Sequence, residues 1–168
     1  MKRRNFLKSS AAALAGASSV TQAADDEKEF IIDIHQHVNF HGRQNDVMVK
    51  HQRTMQISKT VLLPAGTPME RGTTHAGKSN GLAARVFGTE AAARLASKHP
   101  DEFIYFCNEV PDIESTKTEL EKWLKRGAKG IGEQKFGLEI DSKEMRLIYD
   151  IAKEFEVPVT LHIQHNKY

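Results

Sequence analysis

The chain has 168 residues, 39% of them hydrophobic and 27% charged, with a formal net charge of +2, five prolines and one cysteine. Such a composition excludes a disordered or fibrous chain, and the lone Cys107 excludes an internal disulfide framework. Lys2, Arg3, Arg4 and Lys8 place positive charge ahead of any acidic residue, so the rest of the chain is net negative. It carries no cationic cluster of the kind a nucleic-acid surface needs.

Residues 1–24 are laid out as an export signal: a cationic start, a mild apolar stretch from Ala11 to Val20, and a small-residue cleavage site near Ala23. The apolar stretch, broken by Gly16, Ser18 and Ser19, falls short of the ~20 residues that span a bilayer, so no stable membrane insertion is expected. Arg3-Arg4-Asn5-Phe6-Leu7-Lys8 resembles a twin-arginine signal, which implies the twin-arginine export machinery as partner and a periplasmic location. Residues 25–29 form a charged spacer.

From residue 30 to residue 168 strand-like and helix-like segments alternate. Phe30–Val38, Ser58–Leu63, Glu102–Cys107, Ala128–Gly132 and Val157–Ile163 are short, apolar and rich in β-branched or aromatic residues, as buried parallel strands are. Between them, Asn45–Gln56 has helical periodicity. So does Gly81–Lys98, with a break expected at Gly88. Ile113–Arg126 follows with Gly127 as its C-terminal stop, and Ser142–Phe155 opens on Ser142 as N-cap. The repeated β-α order fits either an open doubly wound sheet or a closed (β/α)8 barrel. No Gly-x-Gly-x-x-Gly follows the first strand, which argues against dinucleotide binding. Ala76-Gly77-Lys78-Ser79 lacks the strand and the earlier glycine of a phosphate loop. A complete barrel takes ~250 residues. The expectation is therefore an α/β fold made of about five β-α units of a truncated (β/α)8 TIM-barrel, its open edges covered by homo-oligomerisation.

The chemistry is concentrated in Ile31-Ile32-Asp33-Ile34-His35-Gln36-His37. Alternation along a strand puts Asp33, His35 and His37 on one face and leaves Ile32 and Ile34 on the other, where helices would cover them. Two imidazoles two residues apart at the C-terminal end of a strand can converge on one cation, with Asp33 a layer deeper behind them. His162 ends the fifth strand at the same mouth and is a candidate third ligand. Glu133 and Lys135 close the fourth strand as candidate catalytic groups. The carboxylate could ligate a metal, and the lysine could bind an acidic substrate group. His41 and His165 are candidate mouth residues. Cys107 reads as a small buried hydrophobe, because no neighbouring base would activate it.

Asp33-Ile34-His35-Gln36-His37, Gly127-Ala128-Lys129-Gly130-Ile131-Gly132-Glu133, and Tyr149-Asp150-Ile151-Ala152 leading to Pro158-Val159-Thr160-Leu161-His162 together resemble the amidohydrolase-related family of the amidohydrolase 2 type. Lys98-His99-Pro100-Asp101-Glu102-Phe103 fits the same pattern. The resemblance implies a metal-dependent barrel with His35 and His37 as strand-one ligands, His162 as strand-five ligand, and Glu133 or Lys135 at the strand-four position. It implies a divalent cofactor, Zn²⁺ first, with Mn²⁺ or Fe²⁺ as further candidates, and a small-molecule substrate. The family also uses a histidine after strand six and an aspartate after strand eight, neither of which this sequence reaches. The leading expectation is a hydrolase of a small ester, lactone or amide acting through metal-activated water, this chain being an incomplete form. The alternatives are a metal-dependent non-oxidative decarboxylase of a small carboxylic acid and a non-catalytic exported remnant domain.

Overall fold

A computed structural model describes residues 29–66 and 86–163. The leader, all of the spacer but Glu29, the Ala76–Ser79 segment and His165 lie outside the described residues. In chain order the elements are β1 (Ile32–Gln36), a 3-10 turn (Phe40–Gly42), α1 (Asn45–Thr54), β2 (Lys59–Leu62), α2 (Thr89–Lys98), β3 (Phe103–Tyr105), α3 (Thr116–Lys125), β4 (Ile131–Gln134), α4 (Lys143–Glu154) and β5 (Val159–Leu161). Among the described residues no helix is long and apolar enough to cross a membrane.

All strand pairings are parallel. β1 pairs with β2, β2 with β3, and β4 with β5. A parallel bridge from Cys107 to Ile131 carries the order from β3 to β4. Each strand thus lies beside its sequence neighbour, without the reversal of order that defines a doubly wound sheet. The result is an α/β fold of about five parallel β-α units, with five strands and four α-helices among the described residues, in a partial TIM-barrel-like arrangement.

β2 shows why the strands read as continuous apolar runs. Leu62 packs with Met48 and Val49 of α1 and with Ala92, Leu95 and Ala96 of α2. Its neighbours Val61 and Leu63 pack with Phe106 in a separate cluster without helical members. Period-two alternation divides the strand between a helix layer and a concave face, and both are buried. A third cluster joins Cys107 and Ile131 to Leu120 and Leu124 of α3 and to Met145, Ile148, Ile151 and Ala152 of α4.

Local signals hold at several boundaries. Ser142 caps α4 by accepting a hydrogen bond from the Met145 N–H at 3.2 Å. Gly127 follows α3 with φ +105°, a left-handed position that a side chain would disfavour. α2 begins at Thr89, directly after the break expected at Gly88. The fourth strand runs Ile131–Gln134, later than expected, although residues 128–130 already lie along β3: Lys129 N–H donates to the Tyr105 carbonyl, and the Gly130 carbonyl accepts from Cys107 N–H.

Two expectations for the first strand need correction. Between Asp33 and Gln36 β1 advances three residues while β2 advances two, so simple alternation fails there. Asp33 turns toward Gln52 of α1 instead of sharing a face with His35 and His37. Ile32 and Ile34, expected beneath helices, are 51% and 70% exposed.

Candidate metal centre

The C-terminal ends of parallel strands point the same way, so side chains at or just past the ends of β1, β4 and β5 gather at one mouth. His35, His37 and Glu133 each offer a ligand atom there, all within 4.8 Å of one another. His35 Nε2 is 3.2 Å from His37 Nε2 and 3.1 Å from Glu133 Oε2, and His37 Nε2 is 3.5 Å from that same oxygen. His37 and Glu133 are buried, whereas the His35 side chain is 46% exposed, so the cluster opens to solvent on the His35 side. His162 completes the group from β5, its Nδ1 in hydrogen-bond contact with the other carboxylate oxygen, Glu133 Oε1.

The hydrogen bonds determine what the cluster wants to bind. His37 Nδ1 lies 2.7 Å from the Leu63 carbonyl, which can only accept, so Nδ1 carries the proton. In the neutral ring Nε2 is then a lone pair, and it faces a carboxylate oxygen. Two acceptors at that distance require a shared cation, either a proton on His35 Nε2 or a metal ion. The imidazole–imidazole–carboxylate set suits Zn²⁺ and other divalent first-row ions. The residues present therefore fit a divalent metal.

Electrostatics follow the same geometry. The hydrogen bond to Glu133 pushes His35 above the usual histidine range, against the opposing effect of burial. Burial holds His37 below that range, so it stays neutral as a ligand must. Burial acts to raise Glu133, but hydrogen bonds to His35 and His162 outweigh it and hold the carboxyl down at about 2.

The Asp33 carboxylate is not among the converging ligand atoms. Its carboxylate accepts from the His35 N–H at 3.0 Å, Gln36 Nε2 at 2.8 Å and Gln52 Nε2 at 2.6 Å, and so braces the backbone that carries His35. Despite burial, those bonds keep its carboxyl below the usual range. His41 is exposed, its ring edge-on to Phe40 at 4.7 Å, and Phe40 stacks on His37 at 5.8 Å. Lys135 is buried, and its charge opposes protonation of His35. Cys107 is fully buried, and desolvation pushes its thiol up to about 12, so it serves as packing.

Reasoning from the sequence missed two contributors. The Leu63 carbonyl, which fixes the His37 tautomer, is a backbone group and leaves no residue-type signal. Asn108, a buried amide just past β3, had the right position at a strand end but was not singled out.

No family model and no curated protein matches the chain. Among solved structures its fold is similar to that of 2,6-dihydroxybenzoate decarboxylase from Rhizobium, at 17% identity and a TM-score of 0.57, covering 82% of this chain and 51% of that one. A 2,6-dihydroxybenzoate decarboxylase complexed with 2,6-dihydroxybenzoate is similar at 16% identity and a TM-score of 0.56, covering 82% and 52%. A probable 2-pyrone-4,6-dicarboxylic acid hydrolase from Acinetobacter baumannii with citric acid bound gives 14% identity and a TM-score of 0.49, covering 80% and 50%. The chain spans about half the length of each.

Proposed function

We propose that this chain is the metal-holding part of a non-oxidative decarboxylase acting on a small carboxylic acid. The observation that carries the proposal is the convergence of His35 Nε2, His37 Nε2 and Glu133 Oε2 at the mouth of the parallel strands. The sequence put hydrolysis of a small ester, lactone or amide first. Decarboxylation takes precedence because the fold is similar to that of 2,6-dihydroxybenzoate decarboxylase at TM-scores of 0.57 and 0.56.

Loss of carbon dioxide leaves an electron pair on the carbon that held the carboxylate, and a proton must take its place. The site therefore has to hold an anion and accept electron density. A divalent cation, Zn²⁺ first and Mn²⁺ or Fe²⁺ next, would supply Lewis acidity toward a substrate oxygen. His35, His37 and Glu133 would hold it, and His162 is proposed as a further ligand. Glu133, held at about 2, is ionised throughout the neutral range and so acts as ligand and hydrogen-bond acceptor, not as proton source. Lys135, buried beside the cluster, is the proposed partner of the substrate carboxylate, and its ammonium would orient that group before the bond breaks. The arginine pair of the leader supports periplasmic delivery by the twin-arginine route.

The test has two stages. Purified full chain, stripped and reloaded with Zn²⁺ or Mn²⁺, is analysed for bound metal beside the His35→Ala/His37→Ala double variant. About one ion per chain, lost in the variant, is expected, and equal content in both would overturn the ligand assignment. Loaded chain is then offered 2,6-dihydroxybenzoate and, separately, a panel of aryl esters and lactones. Carbon dioxide release from the acid supports the proposal, and turnover confined to the esters or lactones replaces it with hydrolysis.

A further inference from the structure

We infer that Asn108 is a positioning residue that sets the spacing between His37 and Glu133. The inference rests on the metal-holding role proposed for those two side chains, and it assigns a purpose to β3, which contributes no group to the cluster.

Asn108 lies just past β3, 4% exposed, between the ends of β2 and β4. Its Nδ2 donates to the Glu133 carbonyl at 2.7 Å and to the Pro64 carbonyl at 3.2 Å. Its Oδ1 accepts from Gln134 Nε2 at 2.6 Å, and its backbone N–H donates to Thr89 Oγ1 at 3.3 Å. Both amide hydrogens and the amide oxygen are engaged, so the group has a single orientation.

The two carbonyls it joins are the ones that matter to the cluster. Glu133 is the carboxylate ligand, and its own backbone is held. Pro64 directly follows Leu63, whose carbonyl fixes the His37 tautomer at 2.7 Å. One side chain thus ties the strap that orients His37 to the backbone that carries Glu133. Gln134 extends the linkage, since its carbonyl accepts from His162 N–H at 3.0 Å. The Gln134 amide meets this network through its Nε2, which donates to Asn108 Oδ1. Removing the Asn108 amide takes a donor from two carbonyls in buried surroundings and frees the ends of β2 and β4 to move independently.

Asn108→Ala in the full chain tests this, with Ile148→Val, a core truncation in α4, matching its loss of stability. The first readout needs no metal: ¹⁵N shifts of the His37 ring in the stripped chain. The wild type and Ile148→Val should show Nδ1 protonated, and Asn108→Ala should show averaging between tautomers. The second readout is titration with Co²⁺ alone. Asn108→Ala should bind about 10- to 100-fold more weakly, the usual effect of losing a group that orients a ligand, with an altered visible spectrum at saturation. Ile148→Val should match the wild type in both. Should Asn108→Ala fail to fold, Gln134→Met, which releases the amide oxygen, should weaken Co²⁺ binding about tenfold at the lower end of that range. A wild-type tautomer together with wild-type Co²⁺ affinity in either variant overturns the inference. A wild type that binds no Co²⁺, while Asn108→Ala still scrambles the tautomer, supports the positioning role and removes the metal reading.

Discussion

At the scale of single residues, Glu133 is where the site's electrostatics meet. One oxygen faces both first-strand imidazoles and the other faces His162. Glu133→Gln keeps the shape but removes the charge that three histidines share. Losing a group that merely orients a ligand costs about 10–100-fold in metal affinity. Losing the ligand itself should cost at least the upper figure, about 100-fold, read by competition with a chromophoric chelator. The proton balance gives a second prediction. His35 is raised above its ordinary value by its hydrogen bond to Glu133 and His37 is lowered by burial, so below the raised His35 value the stripped site carries a proton on His35 that a metal must displace. Affinity should therefore climb about tenfold per pH unit up to the raised His35 value and level off above it. Calorimetry in buffers of differing ionisation enthalpy should count about one proton released per ion on the rising limb, and a slope of two would show that a second ligating imidazole is protonated as well. Cys107 supplies a third. A fully buried thiol at about 12 should resist an aromatic disulfide reagent in the native chain at pH 8 and react promptly once the chain is unfolded.

At the scale of elements, the junction of β4 and β5 holds the cluster in register. Gly132 has φ +130°, and a Cβ there would stand 2.5 Å from the Thr160 carbonyl oxygen and 3.1 Å from Thr160 Cβ. Backbone atoms cannot turn aside as a flexible side chain can. Gly132→Ala should cost about 1–3 kcal/mol, seen as a lower urea midpoint at constant slope. Because Glu133 is the next residue, the same variant should also weaken Co²⁺ binding. Most of the elements were legible in the sequence: the strands by their β-branched apolar runs, α4 by its serine cap, α3 by its terminal glycine. Less of the site was. His-x-His marked its first-strand half, because residue type and spacing together imply convergence. Whether Glu133 or Lys135 faced the histidines could not be read, since both end the same strand and only the local path of β4 decides. Only the face that Asp33 occupies was misjudged, for a related reason. Its carboxylate is drawn to Gln52, Gln36 and the His35 N–H, and the irregular pairing of β1 breaks the alternation that would have aimed it at the mouth.

At the scale of the molecule, five parallel strands in sequential order leave two edges, β1 and β5, without a strand partner among the described residues. Parallel sheets are ordinarily covered on both faces, and an open apolar edge invites pairing with another chain. Exposed large hydrophobic residues occur at both edges, Phe30, Ile32 and Ile34 on and before β1 and Ile163 just beyond β5, and the two most exposed of all, Ile163 and Ile34, are among them; others, such as Val47 and Phe87, lie elsewhere. The expected consequence is self-association through these edges, rising with concentration in sedimentation velocity. Lysine is a common guard of natural edge strands, since pairing would bury its charge. Ile34→Lys and Ile163→Lys should each reduce the association, and the double substitution should bring the chain toward monomer. Neither side chain belongs to the described core clusters, so the stability change should stay within about 0.5 kcal/mol. Metal content should not change either, because both side chains are exposed to solvent and neither is one of the converging ligands. Association that persists undiminished in the double variant would place the contact elsewhere, on the helix layer, and would leave the strand edges shielded by something other than a second copy.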